Sequence, residues 1–165
     1  MAPRFVFTAQ QPTGTGVIRP FLRVQANNTE QGYNTSGGTP FDAKAGPWTH
    51  DIRLSDLEAS RISLNGTDYY RLLLDANEPG GNKSFISLDR LEFYTSSVGS
   101  KTTTDVPSLG TLRYSLDAGE NSYVLIDASR NHGSGSGDIH AFIPVATFAG
   151  ANQSDFVYRF TRFGD

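Results

Sequence analysis

Cysteine is absent from the 165-residue chain. That removes disulfides, thiolate zinc sites, iron–sulfur clusters and cysteine nucleophiles together, and leaves the compartment open. A basic excess is also lacking: 14 Lys and Arg stand against 17 Asp and Glu, a formal net charge of −3. Such a surface has no surplus cations to neutralise phosphates, so nucleic acid is not an expected partner. No apolar run approaches the length of a membrane span. The opening MAPRFVF lacks a basic-then-apolar leader pattern. Either the chain is not exported by that route, or it is a mature form carrying an added Met. Neither G-x-S-x-G nor H-E-x-x-H occurs. Carboxylate pairs such as Asp89 with Glu92 and Asp51 with Asp56 exist, but a glycosidase also needs a deep cleft around its pair. The expectation is a protein that is not an enzyme and has no catalytic residues.

Helical periodicity is scarce as well. The exception is LSDLEAS (54–60), where Ser55 and Glu58 have capping-box spacing; it is long enough for one or two turns. What is plentiful is Phe (11), Tyr (7) and Gly (17), a composition that favours strands joined by turns. Strand candidates are RFVFTA (4–9), VIRPFLRVQ (17–25), THDIRL (49–54), RISL (61–64), DYYRLLLD (68–75), SFISLDRLEFY (84–94), TLRYSL (111–116), SYVLID (122–127), IHAFIPVATF (139–148) and DFVYRFTRF (155–163). The last alternates most cleanly, with Phe156, Tyr158 and Phe160 on one face and Val157, Arg159 and Thr161 on the other. Asn65-Gly66 marks a two-residue hairpin, and 117–121 a longer one. Residues 25–48 and 95–108 read as long loops, the second a candidate crossover between sheets. The predicted fold is all-β: one antiparallel β-sandwich of jelly-roll type spanning 1–165, with a helical turn near 55–59.

Two segments carry the candidate chemistry. YRLLLDANEPGGNKSFISLDRLEFY (70–94) and YVLIDASRNHGSGSGDIHAFI (123–143) share a plan. Each has an apolar strand ending in Asp, a Gly-rich loop, a second Asp and another strand. A P-loop would need Lys and Ser/Thr after the glycines, then a helix; here Asp138 and a strand follow. Counting from Asp127, oxygen-bearing residues fall at calcium-loop positions, but His132 stands where that loop needs Gly and the flanks are strands, so this is no EF-hand. Hard cations still suit clustered oxygens, and a cation relieves carboxylate repulsion. The expected cofactor is Ca²⁺, with Asp75, Asn77, Glu78 and Asp89 as first-choice ligands, and Asp127 and Asp138 for a second or shared site. The competing explanation is that Asp, Asn and Gly are simply turn residues. Of the three histidines, His50, His132 and His140, the last two are eight apart across the loop and could meet, but a zinc site wants three convergent ligands.

Tyr33, Phe41 and Trp48 fall in the first long loop. Tyr33 and Trp48 are candidate sugar-binding rings; the alternative is that the aromatics fold back onto the core, which Pro47 favours for Trp48. Five of nine asparagines, Asn27, Asn34, Asn65, Asn82 and Asn152, form N-x-S/T triplets, as a Ser/Thr/Asn-rich chain does by chance.

From about residue 20 onward, the segments PFLRVQANNTEQGYNT, FDAKAGPWTHDIRLSDL, LLLDANE, ISLDRLEFY, GSGSGD and YRFTRFGD give the chain a family likeness. It resembles an uncharacterised β-rich domain of secreted bacterial proteins. The resemblance implies export and an extracellular or cell-surface location, and no activity; the basic Arg159 and Arg162 depart from a plain apolar last strand. The combined expectation is a non-catalytic extracellular module, stabilised by Ca²⁺, that serves adhesion or assembly. The alternatives are carbohydrate binding, with a polysaccharide or other cell-surface component as partner, and self-association into a fibre through a donated RFVFTAQ strand.

Overall fold

A computed structural model describes residues 3–12, 19–76, 85–129 and 136–164. The elements follow in order as β1 (Arg4–Pro12), β2 (Glu30–Tyr33), β3 (Ile52–Arg53), α1 (Leu54–Glu58), β4 (Arg61–Leu64), β5 (Thr67–Leu74), β6 (Phe85–Ser96), β7 (Thr111–Ser115), β8 (Val124–Asp127), β9 (Ser136–Pro144) and β10 (Phe156–Phe163). Short 3₁₀ turns occupy Val106–Leu109 and Val145–Phe148. The strands make two antiparallel sheets packed together, an all-β sandwich as expected. One has the order β1-β9-β5-β4; the other has β2-β10-β6-β7, with β3 beside β10 and β8 beside β6. The chain crosses repeatedly between the sheets.

Local chemistry explains the tightest features. Leu64 pairs with Thr67 across Asn65-Gly66, and both turn residues have positive φ, 51° and 78°, the geometry of the turn that this dipeptide favours. The helical turn α1 appears where predicted, but its cap lies elsewhere. Ser55 is already inside the helix, and the Asp56 carboxylate accepts the Arg53 N–H at 2.7 Å. The acidic side chain is long enough to reach back and satisfy an end donor that Ser55 is too late to serve.

Three further expectations about strands are corrected. Within 17–25, the described residues form no strand, only a bridge from Val24 to Ala43. Strand β2 lies inside the stretch read as a loop, because Glu30–Tyr33 pairs with the end of β10. The proposed hairpin at 117–121 is absent: β7 and β8 run in the same direction, one after the other, along β6. Thr111 to Ser115 pair with residues 92–95, and Val124 to Asp127 with residues 85–88. At 12 residues, β6 is long enough to hold both.

Around β2, β10 and the second half of β6, the six-stranded sheet is buried on both faces. Toward the other sheet, Leu88, Leu91, Phe93 and Val157 join Leu72, Ile139 and Ile143 in the inter-sheet core. On the far face, Tyr33, Tyr94, Tyr158 and Phe160 pack beneath Val106 and Leu109 in a second core. Residues 97–105 are therefore a cover over that face and not a crossover. Tyr158 Oη donates to the Val98 carbonyl at 2.9 Å and Tyr33 Oη to the Thr103 carbonyl at 2.8 Å. Each phenol satisfies itself while tying down a loop carbonyl. Glu92 shares this face, only 7% exposed, and accepts bonds from Arg90 at 2.8 and 3.0 Å and from Tyr94 Oη at 2.8 Å.

Candidate functional site

Sheet register decides where the two Asp/Gly loops lie. Strand β5 leaves the four-stranded sheet after Leu74, opposite Ile139 on β9. Strand β6 enters the six-stranded sheet at Phe85, opposite Asp127 at the end of β8. The 75–84 connection and the 128–135 connection thus leave from one end of the sandwich, each passing between sheets. The sequence left this open. It is settled by the collinear β7 and β8, which return the chain along the full length of β6.

Asp75 follows Leu74 and Asp138 precedes Ile139, the last pair of the β5–β9 ladder. The Ala76 N–H donates to Asp138 Oδ2 at 2.7 Å, and Asp138 is 1% exposed. Ile139 belongs to the inter-sheet core, so alternation turns Asp75 and Asp138 to the outer face of the four-stranded sheet. Asp138 also anchors the first turn of the loop that follows β5.

The remaining residues of the predicted cation set are placed differently. Asp127 neighbours the core residue Ile126, so it faces outward from the other sheet. The two sheets stand about 10 Å apart, and Asp127 and Asp138 lie on opposite outer faces of the sandwich. Asp127 Oδ1 instead accepts the Ser129 N–H at 3.0 Å and Oγ–H at 2.5 Å, a turn closed on its own backbone. Asp89 lies within β6, not in a loop, beside the register irregularity opposite Arg162 and Phe163; it accepts from Ser87 Oγ at 3.1 Å. Asn77 and Glu78 lie outside the described residues, as does His132. Among the described residues, no group of three His, Asp or Glu side chains is gathered as a metal site.

The sugar-binding pair divides. Tyr33 is fully buried, its ring edge-on to Phe41 and Tyr158. It has no free face for a sugar, because the strand that carries it closes the second core. Trp48 does not fold back: it is 49% exposed. Asn34 is fully buried, so its triplet is no glycan acceptor in the folded protein. Its side chain donates to the Val157 carbonyl at 2.8 Å and accepts the Arg159 N–H at 2.6 Å, standing in for a strand neighbour.

The sequence did not identify one site. The alternation of β10 was legible, but not that Val157, Arg159 and Thr161 take the inner face. Arg159 and Thr161 line a cavity between the sheets with Leu72, Leu74, Leu91, Ile139, Ala141 and Phe163 among its other walls. The cavity itself is small, about 20 Å³, room for one or two waters. Burial draws the Arg159 pKa down to about 10, although the residue is only part-buried. Arg159 Nε and Thr161 Oγ1 are buried without a hydrogen-bond partner. The nearest aromatic support is the Phe21 ring, 5.6 Å from the guanidinium carbon.

Comparison with protein-family models, with curated proteins and with solved structures returns no significant match.

Proposed function

We propose that the protein is a non-catalytic β-sandwich binding module of the extracellular or cell-surface type. Its loop-bearing end is ordered by Ca²⁺ and serves adhesion or assembly. The supporting observation is that Asp75 and Asp138 adjoin the last pair of the β5–β9 ladder, at the end from which both Gly-rich connections leave. Two neighbouring carboxylates repel, and a divalent cation relieves that repulsion while drawing in carbonyl oxygens from glycine-rich backbone. Asp138 also accepts the Ala76 N–H, so Asp75 is the cleaner position to probe. The exposed ring of Trp48 supports carbohydrate recognition as the second reading.

The test is the thermal midpoint with EDTA and with about 5 mM Ca²⁺. Extracellular calcium modules bind with Kd of roughly 10⁻⁴ to 10⁻³ M. Linkage then gives a gain of about 1–2 kcal/mol, a rise of roughly 3–8 °C for a domain of this size. The rise should vanish in Asp75→Asn, which preserves shape and removes charge. Asp138→Ala is the poorer probe, because it uncaps Ala76 whether or not a cation binds. An unchanged midpoint, in protein shown metal-free by elemental analysis, removes calcium from the account.

A further inference from the structure

The second core covers the outer face of the six-stranded sheet around β2, β10 and the second half of β6, but not around β8. There Phe85, Tyr123 and Leu125 are 59%, 68% and 52% exposed. The ladder makes them neighbours. Leu125 pairs with Ser87 and Asp127 with Phe85, so Leu125 stands diagonal to Phe85 and two residues from Tyr123. Ile126 belongs to the inter-sheet core, and alternation therefore turns all three to the outer face. Single exposed apolar side chains need no explanation, but a contiguous group at a sheet edge marks an interaction surface.

The edge beside that group is unguarded. Among the described residues, β8 pairs with β6 alone. Open edges invite pairing with another chain, and proteins protect them with charge, proline, bulges or cover. The other edges here have such protection. Strand β1 opens with the exposed Arg4; its register breaks between Phe7 and Gln11, and it ends at Pro12. Strand β4 carries Arg61, ion-paired with Asp68. Strand β2 is closed by Asp42, which accepts the Gln31 N–H at 3.0 Å and donates its own N–H to the Gln31 carbonyl at 2.9 Å. Strand β7 carries Arg113, which donates to the Ala149 carbonyl at 3.0 Å. From Asn121 to Ile126 there is neither charge nor proline, and the register of β8 on β6 is unbroken.

We propose that β8 is the contact strand of a symmetric dimer. Two copies of the chain join antiparallel along β8, and the six-stranded sheet continues across the two-fold axis. With Val124 opposite Val124 of the second copy, Tyr123 of each chain stands across from Leu125 of the other. Partners of the same parity keep both outer faces on one side of the joined sheet. An aromatic ring opposite an aliphatic side chain is a stabilising cross-strand pair, and here it occurs twice, with Phe85 of β6 bordering each. Asp127 meets Asn121 of the second copy, so no two acids are opposed. Area sets the strength. A large side chain presents about 150–250 Å², of which each of the three exposes half or more, so two copies offer on the order of 600 Å² from these groups. Paired backbone adds to that, which places the contact at the small end of specific interfaces, near or below about 1,200 Å². The dimer is therefore weak, with a Kd of roughly 10⁻⁵ to 10⁻⁴ M. A two-fold contact closes on itself, so association stops at two copies and does not run on into a fibre. The dimer needs neither calcium nor Asp75 and does not rest on the cation reading.

The test is sedimentation equilibrium of the intact protein in EDTA, from about 10 μM to about 1 mM, a range that brackets this Kd. A monomer–dimer equilibrium without larger species is expected. Leu125→Lys places a charge on the edge and should raise Kd at least about tenfold. Leu112→Lys, at a β7 position that is 51% exposed, should leave it unchanged. The register is read with cysteines, of which the chain has none of its own. A mixture of Tyr123→Cys and Leu125→Cys chains should form disulfide-linked dimers faster than either chain does alone, because only the mixed pair stands directly opposite. Monomer throughout the range would leave the apolar group to a different partner and overturn the proposal. So would association that Leu125→Lys leaves intact, or cross-linking no faster in the mixture than in the separate chains. The wild-type result and the cysteine comparison stand whether or not the lysine variant folds.

Discussion

Five tyrosines tie this molecule's stability to alkaline pH. Burial pushes the phenols of Tyr33, Tyr114 and Tyr158 up to about 12. It also raises Tyr70 and Tyr94, helped by the carboxylates of Glu58 and Glu92 that accept their protons' hydrogen bonds. A phenol whose pKa is raised on folding contributes fully below its unfolded value, near 10, and loses that contribution as pH climbs through the folded value. Arg159 has the opposite sign. Its lowered pKa makes burial costly while charged, and the cost eases as pH rises above about 10. Five groups outweigh one, so stability should fall from about pH 10. Phenolate absorbance at 295 nm should rise together with loss of the fold in one cooperative step. Independent titration of buried phenols before unfolding would contradict the packing described for both cores. The sequence counted the tyrosines but could not say which were interior. Tyr33 looked like a sugar platform because it stands in a polar stretch, and only pairing with β10 buries it.

At the scale of elements, what was legible was local. Asn65-Gly66 names its own turn, and the apolar runs name β5, β6 and β10. What was not legible needed a partner. Strand β2 is four polar-looking residues that become a strand because β10 extends far enough to pair with them. The 117–121 hairpin failed because a turn between two strand candidates does not say whether they pair with each other or share a third strand. β10 misled in another way: alternation finds two faces, but here both are covered. Two glycines separate turn chemistry from close approach. Gly66 has positive φ and open space where a Cβ would stand, so Gly66→Ala should cost about 1 kcal/mol. Gly110 has φ of 150°, and a Cβ there would lie 2.2 Å from the Thr95 carbonyl oxygen. Gly110→Ala should therefore cost several times as much, on the order of 3 kcal/mol or more, because β7 must move away from β6. Urea midpoints of the two variants check this. Equal midpoints would mean that the turn entering β7 is looser than the structure has it.

The whole molecule adds what neither residue nor element contains, the gathering of two distant loops at one end. The repeated Asp/Gly plan was visible in 70–94 and 123–143, and Asp75, Asp127 and Asp138 lie at or near the ends of β5, β8 and β9. It could not tell that Asp127 and Asp138 face opposite ways, since the facing of a side chain depends on which sheet its strand joins. Sheet membership is set by long-range pairing. The cation account therefore narrows to the outer face of the four-stranded sheet, around Asp75 and Asp138. The most direct measurement replaces Ca²⁺ with Mn²⁺ and follows paramagnetic broadening of backbone amides. The account predicts saturable broadening centred on Ala76 and Ile139, reversed by excess Ca²⁺. Amides at the opposite end, around Gly66 and Ser100, should remain sharp. Broadening centred elsewhere, or none that Ca²⁺ reverses, would contradict a cation-ordered loop end.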